Sequence, residues 1–184
     1  MNELNDIKIH RGLKEIYLDR TKSSFIDGKN GKLYYRGFNI NELANNSTFE
    51  EVSYLLIHGK LPNKSQLNEI TIWMSNNRNI PIEVINLIDS IKHLHPMDVL
   101  RTGCSVLGNL EQEEDFLNQT DHADRMLSAF PSIFNYWYQF SHHGKRIDTE
   151  TNDDTIGGHF LHLLHGKKPS QLHKQVMSVS LILY

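Results

Sequence analysis

The sequence predicts an all-α fold preceded by one short β-hairpin. From residue 47 onward, apolar residues recur at threes and fours, the period of an amphipathic helix. Ser, Thr, Asp and Pro stand where those stretches begin, and Gly or Pro where several of them end. The one β signal lies earlier, in "SSFIDGKNGKLYYRGF", where Asp27-Gly28 and Asn30-Gly31 sit between apolar residues with the turn chemistry of a hairpin.

Each helix follows from its own punctuation. "STFEEVSYLLIHGKLP" offers a capping box, Ser47 with Glu50 or Thr48 with Glu51, then Val52, Leu55 and Leu56 on one face and Gly59 and Pro62 as stops. "NKSQLNEITIWMSNN" places Leu67, Ile70 and Met74 at helical spacing, and "PIEVINLIDSIKHL" has Pro81 at a first turn and a stripe of Ile85, Ile88 and Ile91. Pro96 opens "PMDVLRTGCSVLG". "DHADRMLSAFPSIFNYWYQF" reads as a longer helix capped by Asp121 and interrupted at Pro131, with Phe130, Phe134, Trp137 and Tyr138 as core or interface aromatics. After the polar loop "HHGKRIDTETNDD", Thr155 caps and Gly166 closes "IGGHFLHLLHG". The last helix, "KPSQLHKQVMSVSLILY", carries Leu172, Val176, Val179 and Leu183 on one face. It halts with its apolar run intact. That reads as a cut chain; a C-terminal helix docked on the core is the alternative.

Composition narrows the function classes. With 184 residues, 39% apolar, 22% charged and a formal net charge of -3, the chain fits one soluble domain with a real core. Its Lys and Arg are scattered along the chain, in nothing larger than a pair, which is not the clustered footprint that binds nucleic acid. Cys104 is the only cysteine, so no intrachain disulfide forms, and it reads as a small core side chain in a reducing compartment. The amino-terminal "MNELNDIKIHRGL" has no apolar leader core, and no segment is long enough to span a membrane, so the expectation is a cytoplasmic protein.

His159, His162 and His165 repeat at a spacing of three, and any adjacent pair shares a helix face. All three do not meet one ion: His159 and His165 lie about 9 Å apart along a helix axis, whereas zinc gathers its nitrogens at roughly 2 Å from one point. The interleaved Phe160, Leu161, Leu163 and Leu164 predict a helix buried on several sides, whose histidines are hydrogen-bonded packing groups. No metal is expected.

Together the segments "LYYRGFNINELA", "FEEVSYLLIHGKLP", "HPMDVLRTGCSVLG" and "LILY" resemble the N-terminal half of the citrate synthase family, from about Arg11 to Tyr184. The string "SHHGKRIDTETNDDTIGGHFLHLLHGKKPSQLH" is closest in kind to the family's 2-methylcitrate synthase branch. The resemblance implies an all-α homodimer, with residues 1–184 forming the N-terminal part of the large helical domain and the small catalytic domain absent. It implies condensation of propionyl-CoA with oxaloacetate to 2-methylcitrate; the alternatives are acetyl-CoA as acyl donor, or a catalytically silent helical dimerisation fragment. No permanently bound cofactor is implied. The family's binding histidine, its two catalytic histidine motifs and its catalytic aspartate have no counterpart here, so no catalytic residue is carried over. Two positions are. Arg11 aligns with an arginine that some members send across the dimer to the CoA phosphates, its other reading being a solvated surface arginine. Tyr184 stands where relatives place a residue near bound oxaloacetate, although a chain-terminal position favours fraying over binding.

Overall fold

The structure is a computed structural model, and it describes residues 12, 16, 19–113 and 118–184. The order of elements is β1 (Ser24–Asp27), β2 (Lys32–Tyr35), β3 (Phe38–Asn39), α1 (Ile40–Asn46), α2 (Phe49–His58), α3 (Lys64–Asn76), α4 (Ile82–Ile91), α5 (Pro96–Leu110), α6 (Gln119–His143), α7 (Ile156–His165) and α8 (Gln171–Leu183). The predicted hairpin is β1–β2, antiparallel with Asp27 opposite Lys32. Its turn is tied by the Asp27 carboxylate, which accepts the Asn30 backbone N–H at 3.1 Å and the Asn30 amide at 2.7 Å. The sheet has a third strand, because Arg36 and Gly37 both take positive φ, 48° and 92°, the backbone of a two-residue hairpin turn. Arg36 holds this position at a conformational cost. Its guanidinium donates to the Leu56 carbonyl at 2.9 Å, in the last turn of α2, and so pins the sheet to that helix.

Capping decides most helix limits. Thr48, not Ser47, makes the box: its hydroxyl accepts the Glu51 N–H while Glu51 accepts the Thr48 N–H. Gly59 closes α2 in the left-handed conformation. Asn63 and Gln66 form a second box on α3, and Pro96 occupies the first turn of α5.

Four expectations need correction. Asp121 is not the cap of α6; Asn118 precedes the helix and Asp121 lies in its first turn, where its charge suits the helix dipole. Pro131 does not interrupt α6, which runs 25 residues through it. The ring removes only one backbone donor, the one that would bond the Leu127 carbonyl, and the helix continues on both sides of it with Ile133, Tyr136 and Trp137 buried. The predicted face of α8 is turned outward: Leu172, Val176 and Leu183 are exposed, and Ile182 is the buried residue. Cys104 is half-buried, with its thiol facing the Met126 sulfur at 3.6 Å.

Two apolar clusters hold the chain. The larger joins Val84 and Ile88 of α4, Val99 and Leu107 of α5, and Ile133 and Trp137 of α6. Gly103 permits this approach, since a Cβ there would stand 3.0 Å from Ile133 Cγ2. The smaller joins Ile40 and Leu43 of α1, Val52 and Leu55 of α2, and Ile182 of α8. Between their helices runs α7, against α6 on one side and α8 on the other.

Candidate functional site: a buried polar ring around α7

The polar loop before α7 folds inward. Asp153 is 2% exposed and Thr149 8%, and Ile147 packs on the larger cluster. Burying such residues is costly unless partners are supplied, and here they come from α2, α6, α7, α8 and the segment after α3. The N-terminus of α7 is satisfied twice. Thr155 accepts the Gly158 N–H at 3.0 Å, and Glu50, from α2, accepts the Ile156 N–H at 2.9 Å. Burial raises the Glu50 pKa above the usual carboxylate range, and the Ile156 hydrogen bond works against that rise.

His159 is 1% exposed, with Ser132 Oγ 3.0 Å from Nε2 and Thr151 Oγ1 2.9 Å from Nδ1. The Thr151 oxygen already accepts from Arg78 Nη1 at 3.2 Å and from the Asp153 N–H at 3.3 Å. Its own proton is therefore directed at Nδ1, and the ring carries its proton on Nε2, donating to Ser132. Burial, followed by the positive charge of Arg78, lowers the His159 pKa to about 3. A neutral ring with both nitrogens engaged serves neither as general base nor as metal ligand near neutral pH.

The other two histidines do different work. His162 Nδ1 lies 3.3 Å from Asp153 Oδ2, and His165 is exposed. Asp153 also forms a close ion pair with Lys174 of α8. Burial works against the Lys174 charge, but the Asp153 hydrogen bond and charge outweigh it and raise the lysine's pKa. Gly158 is required beneath this pair, because a Cβ there would fall 2.4 Å from Asp153 Oδ1 and 2.6 Å from Thr155 Oγ1. Gly157 lets α8 approach, a Cβ there standing 3.0 Å from Met177 Cγ. The glycine pair in "IGGHF" was the sequence signal for this close packing; Glu50, Arg78, Asp153 and Lys174 gave none.

Of the two carried-over positions, Arg11 lies outside the described residues. Tyr184 follows the last turn of α8, its backbone N–H bonded to the Ser180 carbonyl at 3.0 Å and its side chain fully exposed. It takes no part in the polar ring. Among the described residues, no three His, Cys, Asp or Glu side chains are placed to hold a metal, and no helix is long and apolar enough to cross a membrane.

These features define a helical scaffold fastened by an internal polar ring. A family model described as citrate synthase, C-terminal domain, matches residues 12–184. The chain belongs to the citrate synthase family. It is 52% identical over 174 residues to a 2-methylcitrate synthase of Shewanella oneidensis, covering 94% of this chain and 46% of that protein. To a citrate synthase of Deinococcus radiodurans it is 34% identical over 96% of this chain and 48% of the relative. The crystal structure of citrate synthase from Thermotoga maritima superimposes with a TM-score of 0.80 at 31% identity, over 96% of this chain and 46% of that one. The chain thus spans about half the length of the relatives it matches.

Proposed function

We propose that the chain is the N-terminal portion of a 2-methylcitrate synthase, which condenses propionyl-CoA, oxaloacetate and water into 2-methylcitrate and CoA. The observation that carries this reading is the 52% identity to the Shewanella enzyme, against 34% to the Deinococcus citrate synthase. In this reading the 184 residues supply scaffold, and residues beyond them supply the base and the hydrogen-bond donors that carbon-acid chemistry needs. The polar ring fits a scaffold role, since its histidine is neutral and fully bonded within the protein. Arg11 is assigned to the CoA phosphates and Tyr184 to the neighbourhood of oxaloacetate in the complete enzyme, with no permanently bound cofactor.

The complete enzyme is a cytoplasmic homodimer in this proposal. A nearly apolar recess of about 230 Å³, with Leu100 of α5 and Phe130 and Phe134 of α6 among its lining residues, supports association. Phe130, one of those lining residues, is 38% exposed.

The test is a CoA-release assay with propionyl-CoA or acetyl-CoA and oxaloacetate. The 184-residue chain alone should show no turnover above background. A full-length version should prefer propionyl-CoA; preference for acetyl-CoA would reassign it to citrate synthase. One methylene in an apolar pocket is worth about 1–3 kcal/mol, so the expected preference is on the order of 10- to 200-fold.

A further inference from the structure

The β1–β2 turn holds the one asparagine in the chain that a glycine follows, Asn30-Gly31. Pairing of Asp27 with Lys32 leaves a four-residue loop between the strands, from Gly28 to Gly31, and both Asn30 and Gly31 are exposed. Gly31 sits at φ 62°, and a Cβ placed there would meet nothing within 4 Å, so no side chain screens its backbone nitrogen. The Asn30 side chain, by contrast, is held. One carboxylate, that of Asp27, accepts the Asn30 amide at 2.7 Å and the Asn30 backbone N–H at 3.1 Å. Asn46, followed by the small Ser47, is locked in another way: its amide donates to the Glu42 carbonyl at 3.0 Å, and the Ser47 N–H donates to the Leu43 carbonyl at 2.9 Å.

We infer that Asn30 is a site of spontaneous deamidation, restrained by Asp27, which loosens the β1–β2 turn as the protein ages. The Gly31 nitrogen bonds to Asn30 Cγ and closes a five-membered imide; the Cγ–Nδ2 bond breaks, and Nδ2 leaves as ammonia with the Gly31 amide proton. Water then opens the imide at either carbonyl, leaving aspartate or isoaspartate. Before the ring can close, the Asn30 amide must let go of Asp27, so the carboxylate slows the step. Asp27 itself precedes Gly28, but the Asn30 hydrogen bonds hold its pKa below the ordinary carboxylate range, and an ionised carboxylate offers no comparable leaving group. Either product puts an acceptor where a donor stood. Two carboxylates then face each other across the turn, and isoaspartate adds a backbone carbon to a loop whose length sets the strand register.

The test incubates the folded 184-residue chain at mildly alkaline pH and follows its peptides by mass spectrometry, with enzymatic methylation of isoaspartate as a second readout. The expected result is the mass gain of an amide-to-acid exchange at residue 30 before any other asparagine, with isoaspartate in the same peptide. The Asn30→Gln chain should stay unmodified there, because glutamine would have to close a six-membered ring. Asp27→Ala should react about two- to tenfold faster, the span of a single hydrogen bond. Hydrogen exchange over β1 and β2 should quicken in the aged parent and not in the aged Asn30→Gln chain. Residue 30 unmodified, another asparagine modified first, or isoaspartate at residue 27 without a mass gain overturns the inference. An Asp27→Ala rate no faster than the parent's removes the restraint, and equal exchange in the two aged chains removes the loosening; either result overturns the inference as stated.

Discussion

The cluster on α4, α5 and α6 and the ring around α7 are both sealed from solvent, and they are held in opposite ways. In the cluster, Val84, Ile88, Leu107 and Ile133 are 0% exposed and contribute through removal of apolar surface from water, which has no direction. In the ring, Asp153 and His159 are equally dry, and each depends on particular atoms at particular distances. A non-directional core tolerates exchange of shape for shape. A directional one does not, because a partner removed leaves its counterpart desolvated and unpaired.

The largest expected effect comes from cutting the ring at its centre. Asp153→Ala strips Lys174 and His162 of their shared carboxylate, and breaking a buried pair from one side costs about 3–5 kcal/mol. In the cluster, Leu107→Met conserves volume and should cost less than about 1.5 kcal/mol. Urea denaturation of both variants measures the contrast, and comparable losses would break it.

Proton linkage gives the next effect. The His159 pKa is about 3 in the folded chain against 6.5 in the unfolded one, so below pH 6.5 the unfolded chain takes up a proton that the folded chain refuses. Stability should therefore be unaffected by this group above pH 6.5 and fall as pH drops toward 3, by up to about 1.4 kcal/mol per pH unit. His159→Gln should start lower at pH 7, having lost part of its bonding to Ser132 and Thr151, and should lose the His159 part of the slope. Urea midpoints from pH 7 to pH 4 decide it; a variant as acid-sensitive as the parent would place the proton uptake elsewhere.

A smaller effect is expected where the sheet meets α2. Arg36→Gly relieves the positive φ but removes the hydrogen bond to the Leu56 carbonyl, two opposing changes of about 1 kcal/mol each. Arg36→Ala keeps the strained backbone and loses the bond, so it should be the less stable of the two by thermal melting.

The same contrast governs how much was legible in advance. α2, α7 and the first turn of α5 were readable because Thr48, Thr155, Pro96, Gly59 and Gly166 act within a few residues of themselves. α6 was misread at Pro131 because the burial of Ala129, Ile133 and Trp137 around it outweighs the ring's local cost. α8 was given the correct period, but the row that period picks out faces outward, because both sides of the helix are apolar and period alone does not choose between them. The polar ring was invisible. Glu50 and Ile156 meet across 106 residues and Arg78 and Thr151 across 73, and no periodicity links them.

The finest test of the contrast lies at Glu50, where shape and charge can be separated. Its carboxylate is 4% exposed and accepts the Ile156 N–H, and burial holds its pKa above the ordinary range. A carboxyl with a raised pKa prefers its protonated form in the fold, so stability is lost as pH rises from the ordinary carboxylate range through the raised value. Glu50→Gln keeps the accepting oxygen and removes the charge. Near neutral pH the variant should lie within about 1 kcal/mol of the parent, on the stable side, with the difference shrinking toward pH 4. Urea midpoints at pH 4 and pH 7 measure it. A loss above about 2 kcal/mol at pH 7 would mean that the negative charge itself steadies the N-terminus of α7 through the helix dipole. The ring would then be held by its electrostatic field as well as by the placement of its hydrogen bonds.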